Sequence, residues 1–283
     1  MDPVALIKLC RPKQWIKNGF VFGPLIFSGR FLDTGSIIDA IIAAVLFSLA
    51  ASATYIVNDL KDIEADRKHP TKSQSRPLAS GAVSPGQGIG LLVLLYALLA
   101  CGFLIEPQVM LVIVVYLLLN LAYTFYLKQV PVVDIFVVAF GFVLRVYAGS
   151  LAISVESSYW MLITTLCLAL YLGAIKRRQE LITAGDQSRG VLKAYSVALI
   201  DRYAEMSSTG ALVFYSLFVL TVRPEMALTI PFVLFGIFRY WYVVERESGG
   251  ESPTDVVWQD LPLILCILAW IGCVVLVLSG YGL

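Results

Sequence analysis

An all-helical membrane protein is what this sequence predicts, on three observations. Of its 283 residues 59% are hydrophobic and only 14% charged, far from the quarter-charged composition of water-soluble domains. The mean hydropathy is +0.82. The apolar residues fall in runs close to the roughly 20 that a helix needs to cross a bilayer. The charges fall in the gaps between those runs, and the basic ones gather in alternate gaps.

Nine candidate transmembrane helices can be read in order, at about 16–29, 36–57, 87–105, 108–127, 132–152, 158–175, 204–222, 226–244 and 260–280. The first is the weakest. It is short and interrupted by Gly19, Gly23 and Pro24, which predicts a slanted or partial entry into the membrane. The second ends on a charged stretch, Asn58 to Pro70, and the third begins within Gly86-Gln87-Gly88-Ile89-Gly90. Those glycines superficially resemble a dinucleotide loop, but no strand precedes them, so they mark a loop entering a helix. The fifth carries one deep charge, Arg145; the sixth ends just before Lys176; the eighth has Arg239 and Tyr240 near its end. No linker or soluble domain separates these runs, so residues 1–283 read as a single integral-membrane domain with cap loops at about 59–86 and 176–202.

Basic residues stay on the cytoplasmic side during insertion. With nine helices, Lys8, Arg11, Lys13 and Lys17 share one side with Lys61, Arg67, Lys68, Lys72 and Arg76, and with Lys176, Arg177, Arg178, Arg189, Lys193 and Arg202. The opposite loops offer Arg30 and Arg223. The amino terminus is therefore expected in the cytoplasm and the carboxyl terminus across the membrane, the bacterial inner membrane being the expected location. No cleavable leader is expected, because charged and polar residues are scattered from Asp2 to Asn18. Five well-separated cysteines and one histidine argue against a zinc or haem site built from protein ligands. Nucleic acid is not an expected partner; anionic lipid and phosphorylated substrates are. Homo-oligomer formation is left open.

The stretch after the second helix carries the chemistry. At 100° per residue, Asp59, Asp62 and Asp66 fall within roughly 60° of one another on a helix, while Glu64 points away. Such a face suits Mg²⁺, which takes oxygen ligands and is usually held by one or two carboxylates plus substrate phosphates. The alternative is a solvated helix end, with the acids balanced by Lys61 and Arg67. Arg145 is expensive in the bilayer unless it faces a cavity or a partner, so it reads either as a phosphate ligand or as half of a buried ion pair. For Arg239 a snorkelling anchor weighs at least as much as a ligand role. Tyr123, Tyr126, Tyr147 and Tyr171 read as an aromatic belt or as substrate contacts.

Taken together, Arg11-Pro12-Lys13-Gln14-Trp15-Ile16-Lys17-Asn18, the Asn58–Asp66 cluster and Lys176-Arg177-Arg178-Gln179-Glu180 resemble the UbiA superfamily of intramembrane prenyltransferases over nearly the whole chain. The resemblance implies a nine-helix bundle around a central cavity. It also implies two acidic cytoplasmic motifs that bind Mg²⁺ and a pyrophosphate. The first motif, Asn-Asp-x-x-Asp-x-x-x-Asp, is present as Asn58, Asp59, Asp62 and Asp66. The second departs from the pattern, with Glu180 among three bases where further aspartates are typical. That departure, with Arg76-Pro77-Leu78-Ala79-Ser80-Gly81, Leu144-Arg145-Val146-Tyr147-Ala148-Gly149 and Ser252-Pro253-Thr254-Asp255, is similar to the branch of polyprenyl-phosphate phosphoribosyltransferases, which makes decaprenylphosphoryl phosphoribose.

This resemblance implies phosphoribosyl pyrophosphate as donor and a polyprenyl phosphate as acceptor. Asn58, Asp59, Asp62 and Asp66 are then the metal ligands. Lys17, Lys72, Arg76, Arg145, Tyr147, Lys176, Arg177 and Arg178 are the substrate-binding candidates, the bases neutralising the extra phosphates of donor and acceptor. Glu180 either contacts a ribose hydroxyl or completes the metal shell. Prenyl transfer from a prenyl diphosphate to a small or aromatic acceptor is the alternative, and it calls for a second aspartate pair after helix six. A transporter is disfavoured, since only Arg145 lies deep.

Overall fold

The computed structural model describes residues 3–68, 71–184, 190–246 and 259–280, and every regular element among them is helical. Among the described residues eight helices are long and apolar enough to cross a membrane, which makes this an integral membrane protein. The chain divides into two compact units, 1–127 with 144–156 and 128–143 with 157–283.

The first unit opens with α1 (Pro3–Leu9), a 3₁₀ stretch over Pro12–Phe22, α2 (Gly23–Phe27) and a further turn at Arg30–Leu32. The predicted helix at 16–29 is thus replaced by a 3₁₀ stretch and a short helix, broken where Gly23 and Pro24 sit. It is tied down by hydroxyls instead: Trp15 Nε1 donates to Ser52 Oγ at 3.0 Å and Asn18 Nδ2 to Ser48 Oγ at 2.9 Å. Both serines lie on α3 (Thr34–Lys61), one turn apart. At the start of that helix Asp33 accepts the Ser36 hydroxyl at 2.7 Å and the Ser36 N–H at 2.9 Å. These bonds hold its carboxyl below the usual range. The short helices α4 (Ile63–Lys68) and α5 (Lys72–Ser75) follow, then α6 (Pro85–Gly102), opened by a capping box between Ser84 and Gln87, and α7 (Pro107–Phe125).

Helix α8 (Val133–Ala152) is divided between the units at 143/144. Its second half packs against the 3₁₀ stretch so closely that a Cβ added to Gly149 would lie 2.0 Å from the Val21 carbonyl oxygen. Only glycine fits there. Val21, Phe47, Met110, Ile113, Tyr116 and Ala148 belong to the core of this unit.

The second unit continues with α9 (Tyr159–Ala184), a 3₁₀ turn at Gly190–Ala194, α10 (Val197–Val222), a second turn at Pro224–Thr229, α11 (Ile230–Arg246) and α12 (Leu261–Gly280). Two of these helices outrun the hydropathy estimate. The stretch Lys176–Glu180, expected in a loop, lies within α9, and Asp201 with Arg202, expected before the seventh span, lies within α10. Amphipathic turns extend apolar spans at little cost once they bury one face, here around Ile175, Val191, Leu192, Tyr195 and Ile200.

Candidate active site

In the first unit the acidic motif straddles a break between two helices. Asn58 and Asp59 occupy the last turn of α3, Asp62 is its cap and Asp66 lies in α4. Hydrogen bonds from Asp62 N–H to Asn58 O at 3.0 Å and from Asp66 N–H to Asp62 O at 2.8 Å carry the helical rise across the break. Asp59 and Asp66 are buried, Asp62 is half-buried, and Glu64 is exposed and paired with Arg67.

Arg76 bridges the two buried acids. Its Nη1 donates to Asp59 Oδ1 at 2.9 Å and makes a shorter bond to Asp66 Oδ2. Pro77 keeps Arg76 extended after α5 (φ −95°, ψ 123°), so its side chain leaves the helix. Arg11, in left-handed backbone conformation, donates to the same Asp59 oxygen and lies 4.8 Å from the Tyr55 ring centre. Asp59 Oδ2 and Asp66 Oδ1 carry no hydrogen bond or ion pair among the described residues. Those residues also contain no group of three or more His, Cys, Asp or Glu side chains arranged to hold a metal. The expected face of three carboxylates is therefore two acids clamped by one arginine with a third beside them. What is left over is an open, partial oxygen shell.

Lys17 and Lys72 are half-buried in the same unit, each engaged with a partner. Arg145 is buried; its Nε donates to Asn18 Oδ1 at 2.7 Å, its Nη2 to the Tyr116 hydroxyl at 3.2 Å, and its guanidinium lies 5.0 Å from the Tyr116 ring centre and 5.6 Å from that of Phe47. Amide, hydroxyl and aromatic faces thus meet this charge. Tyr147 is exposed and, two residues on, lies about 200° round α8 from Arg145, so the two do not share a face.

In the second unit the basic motif is enclosed by acids. Arg177 is buried, its Nε 2.9 Å from Asp134 Oδ2 and its Nη1 2.6 Å from Glu180 Oε2. Arg178 joins Asp201 of α10 and Glu245 of α11, both at 2.7 Å. Lys176 is exposed. Both arginines expected as phosphate ligands thus tie helices together through carboxylates. Asp134 also accepts the Tyr195 hydroxyl at 2.7 Å, and that hydroxyl accepts the Val132 N–H. Burial, with the Asp134 carboxylate close by, pushes the Tyr195 phenol up to about 12. Val132 has φ 70°, a conformation that costs a β-branched residue roughly 1–3 kcal/mol. Arg239, expected as an anchor or ligand, holds Asp260 through its Nε and Nη2 at 2.8–3.2 Å. Ser252-Pro253-Thr254-Asp255 lies outside the described residues.

Sequence reasoning passed over Asp134, Tyr195, Asp201 and Glu245 as members of this cluster. Their partners are remote along the chain, and the one available signal was an acid at the start of an apolar helix.

Comparison with known proteins adds the following. The family model described as the UbiA prenyltransferase family matches residues 20–255. A decaprenyl-phosphate phosphoribosyltransferase of Corynebacterium glutamicum is 35% identical, over 96% of this chain and 86% of its own length. The enzyme so named from Mycobacterium tuberculosis is 36% identical over 95% and 93%. Among solved structures, a UbiA homologue from Archaeoglobus fulgidus bound to GPP and Mg²⁺ superposes with a TM-score of 0.71 at 20% identity, over 97% of this chain and 99% of the other. A digeranylgeranylglyceryl phosphate synthase does so with 0.70 at 16%, over 97% of each.

Proposed function

Because the chain belongs to the UbiA prenyltransferase family, we propose that it transfers 5-phosphoribosyl from phosphoribosyl pyrophosphate to a polyprenyl phosphate and releases pyrophosphate. Likeness over nearly the full length to enzymes named for this reaction carries the reading. The loss of the second aspartate set accords with it, since prenyl transfer to an aromatic acceptor calls for that set.

The residues fit a divalent cation, with Mg²⁺ as the proposed ion: hard oxygen donors, an incomplete shell and arginines beside it match an ion that shares its coordination with substrate phosphates. Asn58, Asp59, Asp62 and Asp66 would hold it. When bound, it supplies positive charge against the departing pyrophosphate.

The rest falls to the side chains. Arg76 and Arg11 fix Asp59, and Arg76 fixes Asp66, so these carboxylates do not reorganise when donor arrives. Lys17, Lys72 and Lys176 are proposed phosphate ligands, and Glu180 a contact to a ribose hydroxyl. Arg145, with Asn18 and Tyr116 around it, is a proposed phosphate ligand deeper in the first unit. An oxygen of the lipid phosphate, already anionic at neutral pH, forms the bond to the anomeric carbon as the bond to pyrophosphate breaks, and no proton need move. Two anions must be held together, so screening and alignment account for most of the rate. The gathering of basic residues on one side supports a reacting end that faces the cytoplasm from a bacterial inner membrane.

The test is a radiolabel assay with membranes, labelled phosphoribosyl pyrophosphate, Mg²⁺ and polyprenyl phosphate. A lipid-extractable, acid-labile product is expected, and Asp62→Asn should lower turnover by about 100-fold or more. Turnover near wild type in that variant removes the metal assignment. Product that forms only with a prenyl diphosphate and an aromatic acid establishes the alternative chemistry.

A further inference from the structure

Asp134 is a fully buried acid, 0% exposed, that the proposed chemistry leaves unused. Both of its oxygens are engaged, Oδ1 by the Tyr195 hydroxyl at 2.7 Å and Oδ2 by Arg177 Nε at 2.9 Å. The contacts continue in both directions. Tyr195, itself buried, accepts the N–H of Val132, whose left-handed turn starts α8. Arg177 reaches on through Nη1 to Glu180 Oε2 at 2.6 Å. Helix packing holds the line of contacts in register: a Cβ on Gly173, one turn before Arg177, would lie 3.1 Å from Ile135 Cγ2, beside Asp134.

A guanidinium is a rigid planar fork. Fixing its Nε on one carboxylate therefore also fixes where its Nη1 meets another. Glu180 is half-buried and only one turn beyond Arg177, and the Arg177 Nη1 contact restricts the rotamers open to its carboxylate. Strained backbone persists where its surroundings over-determine it, and Val132 marks this end of α8 as such a place.

We propose that Asp134 and Tyr195 are positioning residues, which hold the Glu180 carboxylate, through Arg177, where the donor substrate meets it. The proposal rests on the reading that Glu180 contacts the donor.

Full-length protein in detergent, assayed with phosphoribosyl pyrophosphate and a polyprenyl phosphate, tests both statements separately. Glu180→Gln should raise KM for phosphoribosyl pyrophosphate about ten-fold; an unchanged KM overturns the role of Glu180, and the positioning with it. Given that rise, Asp134→Asn should raise the same KM about ten-fold, with kcat within about two-fold and KM for the lipid unchanged, in line with the cost of losing an orienting partner. The double variant should be no worse than Glu180→Gln alone, because both changes act through one contact. Effects that multiply in the double variant, or an Asp134→Asn protein that melts earlier with wild-type KM, overturn the positioning and leave Glu180 standing. Tyr195→Phe keeps the packed ring and should shift the donor KM about three-fold in the same direction; if Asp134→Asn does not fold, this variant decides.

Discussion

In the first unit two arginines serve two buried carboxylates; in the second, two arginines are shared among four. The first balance is local neutrality with oxygens left over, a poised acceptor of further positive charge. The second shares each guanidinium between two carboxylates, and two of its acids, Asp201 and Glu245, lie toward water with side chains 27% and 55% exposed. Charge buried to a few per cent of exposure has no solvent to fall back on, whereas exposed pairs are screened and contribute little. Similar ion-pair chemistry therefore has different consequences in the two places: the first cluster is the proposed ligand site, and half of the second joins helices.

Removing one arginine from each side is the sharpest way to break this comparison. Arg76→Met leaves Asp59 and Asp66 without their shared cation, and stability should fall by about 3–5 kcal/mol, as for other stranded buried charges, with turnover down about 100-fold. Thermal melting and the radiolabel assay measure the two losses. Arg178→Met should cost about 1–2 kcal/mol and leave the donor KM unchanged; a KM rise beyond the stability loss would make Arg178 a phosphate ligand and erase the contrast. The pH response sharpens it further. A phenol raised in the folded state, as in Tyr195, stabilises fully below its ordinary value near 10 and loses that contribution as pH climbs through about 12. Melting temperatures followed from pH 9 to 12 should therefore drop more steeply in the wild type than in Tyr195→Phe. The smallest effect is expected at Val132, where asparagine tolerates the left-handed turn better; Val132→Asn should gain about 1 kcal/mol, read as a melting temperature a few degrees higher.

Much of this architecture was legible along the chain. Apolar runs at 36–57 and 132–152 became α3 and α8 to within a few residues, because bilayer thickness dictates the length of a crossing. The 3.6-residue period also put Asp59, Asp62 and Asp66 on one face with Glu64 pointing away, and in the structure Asp59 and Asp66 are buried, Asp62 half-buried and Glu64 exposed. The clusters' balance was not legible. Arg11 meets Asp59 across 48 positions and Arg177 meets Asp134 across 43, separations at which neither periodicity nor motif spacing carries information. A run such as Lys176-Arg177-Arg178 looks cationic until Asp134, Asp201 and Glu245 arrive from other helices. Hydropathy likewise placed the end of α9 too early, since it registers lipid contact and not the amphipathic turns that carry a helix past the apolar zone.

The 3₁₀ stretch near the amino terminus makes up in pitch what it lacks in residues. Rising about 2.0 Å per residue, against 1.5 Å in an α-helix, the sixteen residues from Pro12 to Phe27 have a contour of about 30 Å, the thickness of a hydrocarbon layer. A tightly wound ribbon thus covers with sixteen residues the distance an ordinary helix covers with twenty.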